Sequence, residues 1–578
     1  MPAVSPITPA RRPPARRRAR GRVASRLVPL LLLGVVAFGA GAYAGARHES
    51  PARGIATRFA TAWERGDYAA MHAELAPRSR RRVPLARFTS AYRDAAATAT
   101  LERIEVAGRL VERADGVFEA PARAHTRLFG VLRGRLRLAV EGADDDAGIV
   151  WRRSMTFPGL RGGERLARDV SVPPRGRIEA RDGTVLAEGS DRTSDDPALA
   201  AEVVGSVGPI PADQRADYER RGYPADATVG LTGLERQFER RLAGRFGGTL
   251  RAGTRTLATV QPRQGGAVRT AIDPDIERAA IEALAGRLGG IAVLRPRSGE
   301  VLALAGLAYS APQPPGSTFK IITLAGALDA GTVKPGASFP VETFTTISGV
   351  ELENANGESC GGSLANSFAH SCNSVFAPMG ARLGARRLVA AAERFGFNEP
   401  SDIPGAPPAS IPPADEIGDD LAVGSSAIGQ GRVTATPLRL AAMTAAIANR
   451  GVLVRPTFLR GEQGRASRAT TPRTARIVAR FMRAVVQSGT GRAAAIPGVS
   501  VAGKTGTAEL RDTVTEDTAA PDEEQPAADD HTDTDAWFVA FAPARRPRVA
   551  VAVLLVGAGA GGETAAPAAK IVLQAALD

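Results

Sequence analysis

The uncharged run Leu27–Ala46 (LVPLLLLGVVAFGAGAYAGA) constrains this chain most, because about 20 consecutive apolar residues span a bilayer as a helix. Eight arginines precede it (Arg11, Arg12, Arg16, Arg17, Arg18, Arg20, Arg22 and Arg26), and a basic flank of this kind stays cytoplasmic. The sequence therefore predicts a cytoplasmic basic tail over 1–26 and a single transmembrane helix over 27–46. A cleaved signal peptide is the alternative: Ala44-Gly45-Ala46 is small enough for a peptidase, although the run is long for an h-region of about 7–15 residues. Either way residues 47–578 lie outside the cytoplasm. The arginine tail also accounts for much of the formal charge of +14, so no nucleic-acid partner is expected.

The 578 residues suffice for several domains, and a hydrophobic content of 44% argues for a folded chain despite abundant Gly and Pro. Five scattered histidines and two cysteines form no CxxC pair, HExxH or other clustered ligand spacing, so neither a metal nor a cofactor is expected. Only four of the 74 basic residues are lysine: Lys320, Lys334, Lys504 and Lys570. Arg cannot give up its proton in a protein, whereas a desolvated Lys amine can serve as a base. The lysines are therefore candidates for chemistry.

Residues 52–160 read as a small α+β unit, with Ile55, Phe59, Trp63, Tyr68 and Met71 at near-helical spacing and strand-like alternation in Leu128–Val140. Residues 161–265 predict a β-rich pedestal, with a strand pair about the Asp-Gly turn of Gly176–Ala187 and a helix ending at Gly244. A third unit, 266–578, opens with a helix from Asp273-Pro274 to Leu284 and two strands within Ile291–Ala305. The Pro-rich stretch 400–418 predicts surface coil. Residues 511–535 hold ten Asp or Glu against one Arg and predict a disordered acidic insertion. That insertion is either a solvated turn without a role or a flap that repels anionic polymer and engages basic partners.

Three strings in the third unit carry chemistry. PPGSTFK sets Ser317 at a helix start with Lys320 one turn on, where a neutral amine can take the serine proton as Oγ attacks a carbonyl. HSCN supplies Ser371, able to relay a proton, and Asn373, able to hold an amine and a substrate amide. VAGKTGTAE reads as a strand carrying Lys504, Thr505, Gly506 and Thr507: a cation, two hydroxyls for a carboxylate, and a glycine that lets substrate backbone approach. Each string alone is common. In the order SxxK, SxN, KTG they are the set of penicillin-binding proteins and class A β-lactamases, and two of the four lysines fall where the set needs one.

The chain closely resembles the class B penicillin-binding proteins, the monofunctional D,D-transpeptidases of peptidoglycan synthesis. TAIDPDIERAAIEAL, GGIAVLRPRSGEVLALA, SSAIGQGRVTATPLRLAAMTAAIANRG, VVQSGTG and DAWFVAFAP, together with the three strings, are similar to family landmarks and arrive in family order. RFATAWERGDYAAMHAEL and FPGLRGGERL resemble the cone-shaped domain of the methicillin-resistance type, and PRGRIEARDGTVLA with VGLTGLERQFERRLAG resembles the pedestal, a dimerisation-like domain. No glycosyltransferase domain is expected. The resemblance implies a multidomain, membrane-anchored chain: a transmembrane helix, a small α+β cone domain, a β-rich pedestal, and an α/β transpeptidase domain of the serine β-lactamase type, its antiparallel sheet flanked by helices.

It further implies roles. Ser317 is the acylated nucleophile, Lys320 its base, Ser371 the relay to the leaving D-alanine, and Asn373 the orienter. Lys504, Thr505, Gly506 and Thr507 bind the terminal carboxylate, and the backbone N–H groups of Ser317 and Thr507 form the oxyanion hole. The implied partners are peptidoglycan stem peptides, β-lactams, the cytoplasmic membrane and a SEDS-type glycan polymerase. Rival readings are a membrane-anchored serine β-lactamase, for which no deacylating Glu can be assigned, and a catalytically silent wall scaffold, which would be expected to lack Ser317 or Lys320. A β-lactam sensor would need further membrane helices. Cys360 and Cys372, 12 positions apart in the exported part, are read as a disulfide tethering the Ser371 segment or as two buried thiols.

Overall fold

The computed structural model describes residues 50–114, 116–509 and 534–578. The expected basic tail, the transmembrane helix and residues 511–533 of the acidic insertion lie outside these. Among the described residues no helix is long and apolar enough to cross a membrane. The chain divides into two compact units, one of residues up to Asp169 plus Gly248–Val260, the other of Val170–Gly247 plus Gln261–Asp578.

In the first unit the apolar spacing read from the sequence becomes α1 (Pro51–Glu64) and α2 (Tyr68–Ala73), followed by α3 (Pro77–Arg82) and α4 (Leu85–Ala99). Ser50 caps α1 by accepting from Arg53 N–H, and Asp67 caps α2 through Ala70 N–H. Strands β1 (Leu101–Val106), β2 (Val111–Ala114), β3 (Val117–Thr126) and β4 (Gly130–Glu141) pair antiparallel about β3. Phe59, Trp63, Phe88, Tyr92, Phe118 and Leu138 are buried between helices and sheet.

The sequence puts one continuous pedestal at 161–265, whereas the structure distributes it. The hairpin Gly247–Ala252 with Arg255–Val260 packs Leu250 into the first unit's core. Ile178, Leu186 and Leu199 join the core of the second. The helix expected to run unbroken to Gly244 is two short ones, Gly233–Gln237 and Glu239–Leu242, broken at Phe238 (φ −110°, ψ 19°). The two carboxylates, four residues apart, share one cation: Arg175 bonds Glu235 (2.7 Å) and Glu239 (2.6 Å), Arg192 bonds Glu235 (2.6 Å), and Glu239 also accepts from Gly230 N–H (2.7 Å). Buried charges persist only when paired in this way.

The rest of the second unit is a three-layer sandwich. Its sheet comprises β5 (Gly289–Leu294), β6 (Val301–Gly306), β7 (Ala502–Glu509), β8 (Thr534–Ala542) and β9 (Val549–Leu555), in the order β6-β5-β9-β8-β7, antiparallel throughout. Side chains alternate between two cores. Trp537, Val539 and Phe541 of β8 face one, while Phe538, Ala540 and Ala542 face the other. Helices α5 (Pro274–Leu284) and α11 (Ala565–Leu577) cover the second face. The first is covered by α6 (Lys320–Asp329), α7 (Leu364–Ala369), α8 (Asn373–Leu383), α9 (Pro437–Ala448) and α10 (Pro472–Gln487).

The outer edge of β6 is closed by carboxylates. Glu277 accepts from Leu304 N–H (2.8 Å) and Glu202 from Gly306 N–H (2.7 Å). Next to the opposite edge strand β7, β8 begins two residues before the strand start expected at Ala536. Thr534 pairs with Glu509 and Asp535 with Ala508, so these two residues belong to the sheet and not to the acidic insertion.

Candidate active site

The three motifs converge because three different elements end beside one another. Ser317 lies in a single 3₁₀ turn, Gly316–Phe319, which runs directly into α6 at Lys320. This turn is held on four sides. Gly316 N–H donates to Gly429 O (3.0 Å) and Trp537 Nε1 donates to Pro314 O (2.8 Å). A Cβ on Gly316, whose φ is +51°, would lie 2.4 Å from Thr507 O, and one on Gly506 would lie 2.9 Å from Pro315 O. Only glycine permits either contact. The nucleophile turn is thereby pressed on the KTG strand, with Ser317 half-buried and its hydroxyl bonded to no described residue.

Ser371 sits in the turn between α7 and α8 at φ +61°, a left-handed conformation uncommon for a residue with a side chain. The disulfide Cys360–Cys372, with Cα atoms 5.4 Å apart, ties this turn to the strand Cys360–Ser363. Asn354 fastens it further, accepting from Ser374 N–H (2.9 Å) and donating to Ser374 Oγ (3.1 Å).

Lys320 is fully buried. Its Nζ donates to Ser371 O (2.6 Å) and Asn373 Oδ1 (2.6 Å) and lies 3.3 Å from Ser371 Oγ. Asn373 is in turn oriented by its Nδ2, which donates to Glu353 O (2.8 Å). Lys504 is equally buried and donates to Ser371 Oγ (2.7 Å). One serine hydroxyl thus stands between two lysines. Burial holds the Lys320 amine well below its ordinary value, and the like charge of Lys504 adds to the effect. Burial brings Lys504 down to about 7. A neutral Lys320 has two N–H bonds and one lone pair. The two carbonyl acceptors use both N–H bonds, so the lone pair is left as a proton acceptor.

The register places Lys504 opposite Val539 and Gly506 opposite Trp537 on one face of β7, with Thr505 and Thr507 on the other. Thr505 Oγ1 is 2.6 Å from Thr490 Oγ1, and Gly561 N–H donates to Thr507 Oγ1 (3.5 Å). Ser317, Lys320, Ser371, Asn373, Lys504, Thr505, Gly506 and Thr507 therefore gather at one locus. Sequence reasoning gave no role to Thr490, Gly429 or Trp537. All three lie within landmark strings, yet only tertiary packing brings them to the site.

A serine on a helix start, a buried low-pKa lysine one turn on, and a second lysine sharing a serine with the first define a serine acyl-transfer site. The penicillin binding protein transpeptidase domain family matches residues 289–574, and the penicillin-binding protein dimerisation domain family matches 188–256. The chain is 33% identical to peptidoglycan D,D-transpeptidase PbpA of Mycolicibacterium smegmatis over 412 residues, 59% of this chain and 76% of the relative. It is 28% identical to peptidoglycan D,D-transpeptidase MrdA of Acinetobacter baumannii, covering 64% and 63%. Among solved structures it is similar to Pseudomonas aeruginosa PBP2 in complex with WCK 5153 (TM-score 0.60, 27% identity, 71% of this chain and 96% of that one). It is also similar to the ceftriaxone acyl-enzyme complex of penicillin-binding protein A from M. tuberculosis (TM-score 0.55, 27% identity, 70% and 99%). The chain belongs to the class B penicillin-binding proteins.

Proposed function

We propose that this protein is a peptidoglycan D,D-transpeptidase that cross-links stem peptides through an acyl-enzyme on Ser317 and is acylated there by β-lactams. The observation that carries the reading is Lys320, buried and low in pKa, with both N–H bonds of its neutral form used by Ser371 O and Asn373 Oδ1.

Ser317 Oγ attacks the carbonyl of the donor's penultimate residue while its proton passes to Lys320. The backbone N–H groups of Ser317 and Thr507 stabilise the oxyanion, a contribution of several kcal/mol in acyl transfer. The proton then reaches the leaving amine through Ser371, which Lys504 holds by a 2.7 Å hydrogen bond, and D-alanine departs. The ester on Ser317 is next attacked by an amine of a neighbouring stem peptide, whose proton returns by the same groups as the cross-link forms. Lys504, Thr505, Gly506 and Thr507 receive the donor's terminal carboxylate.

Leu27–Ala46 anchors the chain in the cytoplasmic membrane with its N-terminus inside, a reading supported by the apolar run and its arginine flank. The first unit is a cone domain of the methicillin-resistance type, supported by its α+β composition and the RFATAWERGDYAAMHAEL string. Family resemblance supports a SEDS-type glycan polymerase as partner.

Intact mass after benzylpenicillin tests the reading. The parent should carry one long-lived adduct per chain and Ser317→Ala none. An adduct on Ser317→Ala would displace the nucleophile, and rapid loss of the parent's adduct would make the protein a β-lactamase.

A further inference from the structure

From Leu75 to Arg93 the chain carries six arginines and no Asp or Glu. Arg78, Arg80, Arg81 and Arg82 belong to α3 and Arg87 to the first turn of α4. All five are exposed, and none has an ion pair among the described residues. By contrast Arg58, Arg123 and Arg135 of the same unit each hold a carboxylate. Arg78 stands three and four residues from Arg81 and Arg82, a like-charge spacing that costs a helix stability. A counter-charge from outside the chain would remove that cost. In the midst of these arginines Leu85 opens α4 with 43% of its surface exposed.

The patch lies toward the end of the unit where the chain enters it. A Cβ on Gly54 would lie 3.4 Å from Arg58 Nη1, so the Arg58 guanidinium folds back over the first turn of α1. Glu74 bonds that guanidinium at 2.7 and 2.8 Å, and α3 begins three residues after Glu74. Pro51, which opens α1, follows Ala46 at the end of the apolar run by five positions, a reach of at most about 18 Å.

We propose that the exposed arginines of α3 and of the start of α4, together with Leu85, dock on anionic phospholipid headgroups of the membrane that holds Leu27–Ala46. Clustered arginines meet the phosphates, and the leucine enters the boundary between headgroups and acyl chains. A soluble polyanion would satisfy the arginines but leave Leu85 in water. The inference rests on the anchor reading above and goes beyond it, since an anchor alone leaves the folded unit free to stand away from the bilayer.

The test uses the full chain carrying a bimane fluorophore on Ala86→Cys; Cys360 and Cys372 are bridged and take no label. The chain is placed in nanodiscs of phosphatidylcholine alone or mixed equally with phosphatidylglycerol, each with a nitroxide-headgroup lipid. The fluorophore should be quenched in the anionic discs and much less in the neutral ones. Salt should reverse the quenching by shortening the screening length below about 8–10 Å. Each arginine near an anionic surface strengthens docking about fivefold, so Arg80→Gln/Arg81→Gln/Arg82→Gln should weaken it about 10²-fold and abolish the difference between discs. Should that variant not fold, the salt series on the parent carries the same comparison. Equal quenching in both discs, quenching in neither, or anionic quenching that the triple variant retains would overturn the proposal. Polyphosphate that shifts the emission where anionic discs do not quench it would assign the patch to a soluble polyanion instead. A chain that fails to enter either disc would overturn the anchor reading, and the proposal with it.

Discussion

Breaking the Cys360–Cys372 bond should lower stability by an amount that follows from its loop and leave the active site nearly intact. The bridge closes a loop with a sequence separation of 12. For a loop of about that size the chain-entropy relation gives roughly 9.5 cal/mol/K, or about 2.8 kcal/mol at 25 °C, gained by the unfolded chain on opening. The native turn keeps its other ties: Asn354 to both Ser374 N–H and Oγ, and Lys320 to Ser371 O and Asn373. Spread over the roughly 400 residues of the second unit, the loss should lower the melting temperature by about 3–4 °C, at roughly 2.1 cal/mol/K of unfolding entropy per residue. The assay is denaturation of the parent before and after reduction, beside benzylpenicillin acylation at 25 °C, where the folded state still dominates. Acylation should stay within about threefold. A reduced protein of unchanged stability whose acylation collapses would refute the reasoning, since the bridge would then shape the native turn and not the unfolded chain.

Lys320→Arg should cut acylation about 10²–10⁴-fold, the span of a lost general base, because a guanidinium stays charged; Lys504→Arg, which keeps the charge beside Ser371 Oγ, should cost less, and equal losses in stopped-flow acylation would contradict the separate roles. Glu277 is buried and its carboxyl is raised to about 8, chiefly by burial, with Oε1 unpaired among the described residues. The folded state therefore holds a proton that the unfolded state releases above its ordinary value near 4.5, and the parent loses stability as pH rises through that window. Glu277→Gln removes the slope. The stability of the variant relative to the parent should climb between pH 5 and pH 8 by up to about 1.4 kcal/mol per unit, and a pH-independent difference in urea midpoints would refute the assignment.

Local chemistry made much of this legible in the sequence. Helix α5 announces itself by Asp273-Pro274, the β5–β6 turn by Ser298-Gly299, and the serine turn by Gly316 ahead of an apolar run. The motif lysines stood out because arginine occupies nearly every other basic position. What stayed hidden depends on distant partners. The partner of Glu235 and Glu239 is Arg175, some 60 residues earlier, which local pattern cannot pair with them. The pairing of Asp535 with Ala508 is fixed by sheet register, whereas composition alone assigned Asp535 to the acidic stretch. Thr490 and Thr505 come within 2.6 Å only once α10 and β7 have packed.

The two edges of the central sheet are treated differently. Along β6 the outward N–H groups of Leu304 and Gly306 are satisfied by Glu277 and Glu202, and Leu302 O accepts from Asp273 N–H. No extended chain can add there. Beyond β7 no further strand lies among the described residues, so its backbone is the one rail on which a foreign strand could form a ladder. An open edge invites self-association, and the acyl-acceptor serine lies beside this one. A ligand laid along β7 would do two things in one motion: bring its carbonyl to Ser317, and pair the edge of the sheet that no described strand covers.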